Sequence, residues 1–305
     1  MAALASIGST SATVDIGPIP NVGSGEVLKM QPEAHDRLTV PVTISGMGPF
    51  HFVLDTGAQA TVLSTALADR LMLTDRKSAV LVGMASSRTV ETTFVPDFAL
   101  GSRTFPIRVA PLVAAANIGG ADGILGIDSL QGQRVLLDFQ HQRIAVDDAR
   151  QLGGNRGYEI IVTAHVKLGQ LIITHASVDG IRTAVLVDTG SESSVGNAAL
   201  EQRLSRMKLG GEVQMQDVNG ASLSGPSRLG GSLEIGDASI NNLSITFADA
   251  PTFHTLGLTN EPALILGMHE LRAFNRVAID FQQRRILFDL PASALDNASL
   301  LHTHY

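Results

Sequence analysis

Apolar and polar positions alternate twice along this chain in the same manner, and each time the alternation runs into an aspartate. Leu38, Val40, Val42 and Ile44 alternate with Thr39, Pro41, Thr43 and Ser45, the period of a strand with one buried face. Gly46, Gly48 and Pro49 then turn the chain. A second strand, 51–54, leads into Asp55-Thr56-Gly57-Ala58. In the second half Ile172, Thr174, Ala176 and Val178 alternate likewise, Gly180 makes the turn, and strand 183–187 leads into Asp188-Thr189-Gly190-Ser191. The aspartates lie 133 residues apart (188 − 55).

The echo continues downstream. Ser64 and Asn197 each precede an Ala-Leu segment ending in Arg-Leu, at residues 66–71 and 199–204. Both read as short helices with Ser or Asn as N-cap. Ile124-Leu125-Gly126 recurs as Ile265-Leu266-Gly267, and Asp138-Phe139-Gln140 as Asp280-Phe281-Gln282. Each copy closes on a strand, 143–146 or 285–288. Between the Asp-Thr-Gly and the Leu-Gly, each half has a polar, glycine-bearing turn between short strands. One spans 80–94 around Gly83, Met84 and Ala85; the other spans 213–223 around Asn219-Gly220, a strong hairpin signal. Both read as β-hairpins.

The repeat predicts a duplicated unit of short strands, each copy with a short helix and a hairpin. The expected organisation is an extended arm over 1–36, lobes over 37–150 and 151–291, and a tail over 292–305. The link between lobes falls in the glycine-rich stretch 149–158.

Composition narrows the chemistry. The 305 residues are 44% hydrophobic and 17% charged, with a formal net charge of −7 and no cysteine. This is a globular composition without the basic face a nucleic-acid partner requires. Thiol nucleophiles, disulfides and Cys-based zinc sites are excluded. No apolar run approaches the roughly 18 residues of a membrane span. Residues 1–8 lack the basic start and long apolar core of a secretion leader and leave the question of one open.

A buried strand that delivers a carboxylate is expensive to build, and two copies imply that the carboxylates face each other. Two such groups cannot both ionise cheaply, so they share a proton. The ionised member can then take a proton from water while its partner donates to a carbonyl. Thr56 and Thr189 can bond backbone across the pair. Gly57 and Gly190 permit close approach and aim N–H groups at the carboxylates. The loops differ at Ala58 and Ser191. A serine hydroxyl donating to its carboxylate would favour the charged form, so the Asp55 side is expected to hold its proton to higher pH.

Taken together, two Asp-Thr-Gly loops, each followed by an apolar-apolar-Gly, resemble the aspartic proteases. Leu54-Asp55-Thr56-Gly57-Ala58 with Ile124-Leu125-Gly126 is most similar to retropepsins and retropepsin-like bacterial proteins. The resemblance covers about residues 37–290 and implies an all-β fold of two closed barrels related by a pseudo-twofold axis, each with a short helix and a flap hairpin over the substrate cleft, the flaps carrying Gly83, Met84, Ala85, Asn219 and Gly220. It implies an aspartic endopeptidase with Asp55 and Asp188 as dyad, a peptide or protein substrate, no cofactor and no metal. With both half-sites on one chain, it implies an active monomer. Related bacterial proteins are often exported, which points to the cell envelope or secretion. The chain departs from pepsin in lacking its disulfides and flap tyrosine, since the only tyrosines are Tyr158 and Tyr305. A catalytically silent peptide-binding or scaffold module on the same fold is the alternative; the intact aspartates and threonines favour the enzyme.

Other patterns carry less. Ser205-Arg206-Met207-Lys208 has a Ser-x-x-Lys spacing without its companion motifs. His269-Glu270 lacks a second histidine at metalloprotease spacing. His302 and His304 fall in the tail. Asp138 and Asp280 read as ion-pair or turn contacts holding the terminal strands. Asn242 and Asn297 begin glycosylation sequons.

Overall fold

The computed structural model describes residues 4–6, 28–29, 38–204 and 207–291. Most of the expected arm, the tail with His302, His304 and the Asn297 sequon, and Ser205-Arg206 lie outside the described residues.

The chain is mostly β. In the first half, Thr39–Ile44, Met47–Leu54, Gly123–Leu125, Val62–Ser64, Arg103–Val113 and Ser87–Leu100 pair in that order, and Ser87–Leu100 pairs back onto Thr39–Ile44. The ring closes, which leaves no open edge on that barrel. Lys77–Val82 extends from it as the outer strand of a hairpin with Ser87–Leu100.

The second half is less regular than the expected second closed barrel. Its strands pair as an open path in which two long strands are each broken in two. Ser222–Leu229 and Ser232–Ile235 are separated at Gly230-Gly231; Ala238–Asn241 and Ser244–Phe247 are separated at Asn242-Leu243. Both glycines have positive φ, a conformation other residues resist. Across the kink, Gly230 N–H donates to the Leu243 carbonyl (3.0 Å) and Asn242 N–H to the Gly231 carbonyl (2.9 Å). Bending here interrupts regular pairing without leaving these groups unbonded.

A six-stranded sheet joins the halves in the order Ile160–Thr163, Arg285–Asp289, Arg276–Asp280, Arg134–Asp138, Arg143–Asp147, Leu28–Lys29. Its centre is the antiparallel pair Arg134–Asp138 and Arg276–Asp280, one from each half. Leu28–Lys29, inside the stretch expected as an arm, pairs on the first half as Ile160–Thr163 does on the second. Asp280 fulfils the expected ion-pair role: its carboxylate accepts from Arg134 at 2.7 Å, both side chains fully buried. Arg134 also donates to Asn155 Oδ1 (2.8 Å) and to the Gly154 carbonyl, pinning the link between copies. Asp138 makes the turn contact instead, accepting from the backbone N–H of His141 (3.0 Å).

Both expected helix caps are present. Ser64 Oγ accepts from Leu67 N–H (3.1 Å) above Thr65–Arg70, and Asn197 Oδ1 from Leu200 N–H (2.9 Å) above Ala198–Glu201. Among the described residues no helix is long and apolar enough to cross a membrane.

Candidate active site

Each Asp-Thr-Gly sits where two parallel strands end side by side. Met47–Leu54 pairs with Gly123–Leu125, and Asp55 N–H donates to the Leu125 carbonyl (3.1 Å). Ile181–Val187 pairs with Ala263–Leu266, and Asp188 N–H donates to the Leu266 carbonyl (3.0 Å). The buried apolar runs thus hold the start of each loop, and the Ile-Leu-Gly repeats supply the strand alongside.

The threonines interlock the loops. Thr56 Oγ1 donates to the Val187 carbonyl (2.8 Å) and accepts from Thr189 N–H (3.1 Å). Thr189 Oγ1 donates to the Leu54 carbonyl (2.9 Å) and accepts from Thr56 N–H (3.1 Å). Both threonines are buried, so these four bonds are shielded from competing water. The glycines are required by space: a Cβ on Gly57 would fall on the Asp188 carboxylate, and one on Gly190 on the Asp55 carboxylate.

The carboxyls face each other in unlike surroundings. Asp55 is half-buried, and its Oδ1 accepts from the N–H groups of Gly57 (2.9 Å) and Ala58 (2.8 Å). Asp188 is 7% exposed and accepts from Gly190 N–H (2.8 Å). Burial, and then the neighbouring Asp55 charge, push the Asp188 carboxyl well above its ordinary 3.8; the Gly190 and Ser191 N–H groups pull back only in part. The expectation drawn from Ala58 and Ser191 rested on the Ser191 hydroxyl, which donates instead to the Ser193 carbonyl (2.7 Å) and closes its own turn. The hydroxyl therefore does not lower the Asp188 carboxyl, which burial and the Asp55 charge raise.

Beneath each loop a hydroxyl ties the strand to the following short helix. Thr61 Oγ1 donates to Asp128 Oδ1 (2.6 Å) and accepts from Gly126 N–H (3.1 Å). At the matching position Ser194 Oγ donates to Glu270 and accepts from Gly267 N–H (3.1 Å). Glu270 is buried, and burial raises its carboxyl; the Ser194 bond opposes the rise. Its partner is therefore a hydroxyl within the loop support. Sequence reading missed this role, although Thr61 and Ser194 keep the same 133-residue spacing as the aspartates.

A cleft of about 490 Å³ runs over the dyad and is lined by Asp55, Gly57, Ala58, Asp188 and Gly190 with the hairpin residues Gly83 and Met84. Asn219 belongs instead to a neighbouring pocket of about 250 Å³, and Gly220 packs beside Asn117. Among the lining residues not anticipated, two make polar contacts that matter here. Gln170 reaches from the second half to donate to the Gly57 carbonyl, and Asp217 stands at the second hairpin tip.

A family model described as aspartyl protease matches residues 40–129 and again residues 174–269. The chain belongs to that family, with the match falling once on each copy of the repeat. No curated protein matches the chain.

Proposed function

We propose that this protein is an aspartic endopeptidase in which Asp55 and Asp188 activate a water to hydrolyse a peptide bond. The observation that carries the reading is the paired environment of the two carboxyls, locked by the Thr56 and Thr189 bonds, with the Asp188 proton held by burial and by the Asp55 charge. Two carboxyls with separated proton affinities divide acid and base roles.

Asp188 carries the shared proton and Asp55 is the base, its charge supported by two backbone N–H donors. Water attacks the scissile carbonyl carbon as Asp55 takes its proton, and Asp188 donates its own to the carbonyl oxygen. The gem-diol collapses as the proton on Asp55 passes to the leaving nitrogen. The C–N bond then breaks, and a diol proton returns to Asp188. No covalent intermediate is required. Thr56, Gly57, Thr189 and Gly190 hold the geometry, and the hairpins carrying Gly83–Ala85 and Asn219-Gly220 form the lid.

The lobes are 37–150 and 151–291, a two-lobed acid-protease arrangement about a pseudo-twofold axis. One chain supplies both halves of the dyad, so the monomer is the active unit and its substrate a peptide or unstructured protein. The test is incubation with an unstructured protein from pH 3 to 8, with and without pepstatin. Pepstatin-sensitive cleavage lost in both Asp55→Asn and Asp188→Asn is expected. Cleavage that survives either substitution overturns the dyad.

A further inference from the structure

The two hairpin tips meet above the cleft, and one carboxylate serves both. Asp217 is buried, and its oxygens have separate tasks. Oδ1 accepts from the N–H groups of Asn219 (3.0 Å) and Ala221 (2.8 Å), closing its own turn. Oδ2 accepts from Ala85 N–H (3.1 Å) and from the Ser86 hydroxyl (2.8 Å), on the other hairpin. Hydrogen bonds to an ionised acceptor are the stronger kind. Asn219 Nδ2 adds bonds to the Leu81 and Ser86 carbonyls, both 3.3 Å.

Two further features fit this contact. A Cβ on Gly83 would fall on Asp217 Oδ2, so the opposing tip leaves the space the carboxylate occupies. The tips also exchange apolar side chains. Val218, from the second hairpin, packs on the first-half cluster that includes Val62, Ile118 and Ile124. Met84, from the first, packs on the second-half cluster that includes Phe253 and Leu256.

We propose that Asp217 is a positioning residue that latches the two hairpins into one lid over the dyad; its consequence for turnover rests on the peptidase reading above. Because Oδ1 holds the second tip while Oδ2 holds the facing one, the latch opens by releasing Oδ2 alone. Each hairpin then moves as a preformed unit. Opening withdraws Val218 and Met84 together and admits substrate side chains to the clusters they cover.

Amide hydrogen exchange in the free protein tests the latch without requiring activity. Ser86→Ala removes two cross-hairpin bonds, the one its hydroxyl donates to Asp217 and the one it accepts from Asn219 Nδ2, and leaves the Asp217 turn intact. It is expected to speed exchange at Ala85, whose N–H bonds Oδ2, by about tenfold, while Asn219 and Ala221, bonded to Oδ1, keep their protection. Gly83→Ala is expected to do the same by displacing Oδ2. Faster exchange at Ala85 in both variants with Asn219 and Ala221 still protected supports the latch; an unchanged Ala85, or equal acceleration at Asn219 and Ala221, overturns it. In peptide cleavage, Ser86→Ala is expected to raise KM about tenfold with kcat within about twofold. A fall in kcat at constant KM overturns the positioning role. If the Asp55 and Asp188 variants show that the chain does not cleave, the exchange result still decides the latch.

Discussion

The two Asp-Thr-Gly loops share a backbone and differ in chemistry. Their strand pairings match, and the threonine bonds are reciprocal to within about 0.1 Å (2.8 and 2.9 Å donated, 3.1 Å accepted in both). Yet Asp55 is half-buried with two close N–H donors on one oxygen, whereas Asp188 is buried and its carboxyl is raised by that burial and by the Asp55 charge. The supports beneath also differ, Thr61 with Asp128 in one half and Ser194 with Glu270 in the other. Duplication supplies two carboxylates in mirrored places. Unequal burial then gives the two carboxylates unlike surroundings, and the buried one is raised.

The largest expected effect comes from removing either member. Asp55→Ala and Asp188→Ala should each lower kcat by at least about a thousandfold, because a lone carboxyl cannot be acid and base in one step. Circular dichroism should show the fold retained.

The joint between halves is asymmetric in the same spirit. Arg134 bonds Asp280 across it, while Arg276 in the mirrored position bonds Asp289 of its own half. Arg134→Met alone strands a buried carboxylate and should cost about 3–5 kcal/mol. Arg134→Met with Asp280→Leu should recover most of that loss, as read by urea denaturation.

Breaking the reciprocity of the threonines is expected to be milder. Thr56→Val or Thr189→Val leaves a carbonyl and an N–H of the other loop without their partner, at about 2–4 kcal/mol each. The double variant should lose less than the sum, since the four bonds form one network.

The Asp188 proton gives a stability signature. Its folded pKa is raised above the ordinary 3.8, so the folded state binds more protons than the unfolded chain as pH rises past that value. Stability is therefore present in full below about pH 4 and is lost on going upward. Asp188→Asn removes this loss. Its Tm should exceed the parent's by about 2–4 °C at pH 7, with the gap closing toward pH 4.

The smallest expected effect separates the loops at their fourth position. The Ser191 hydroxyl is committed to the Ser193 carbonyl, so Ser191→Ala should leave both limbs of the kcat/KM pH profile where they are. A shift of either limb would mean that the hydroxyl reaches the dyad during turnover.

Much of this molecule was legible in one dimension. Period-two alternation, Ser64 and Asn197 as caps, and the doubled Asp-Thr-Gly and Leu-Gly depend on local rules, and local rules are written in contiguous residues. They located the strands, both hairpins, the paired carboxylates and the repeat. Four features needed the tertiary structure. The kink at Gly230-Gly231 that breaks the long hairpin of the second half depends on how that hairpin bends over its core. The latch at Asp217 depends on two tips 131 and 132 residues apart in the chain meeting in space. The partner of Asp280 was open until Arg134 faced it across the joint. The raised Asp188 carboxyl ran against the reading of Ser191. That rise is set by how deeply the carboxyl is buried and by the charge opposite it, and neither quantity exists until the halves have closed on each other.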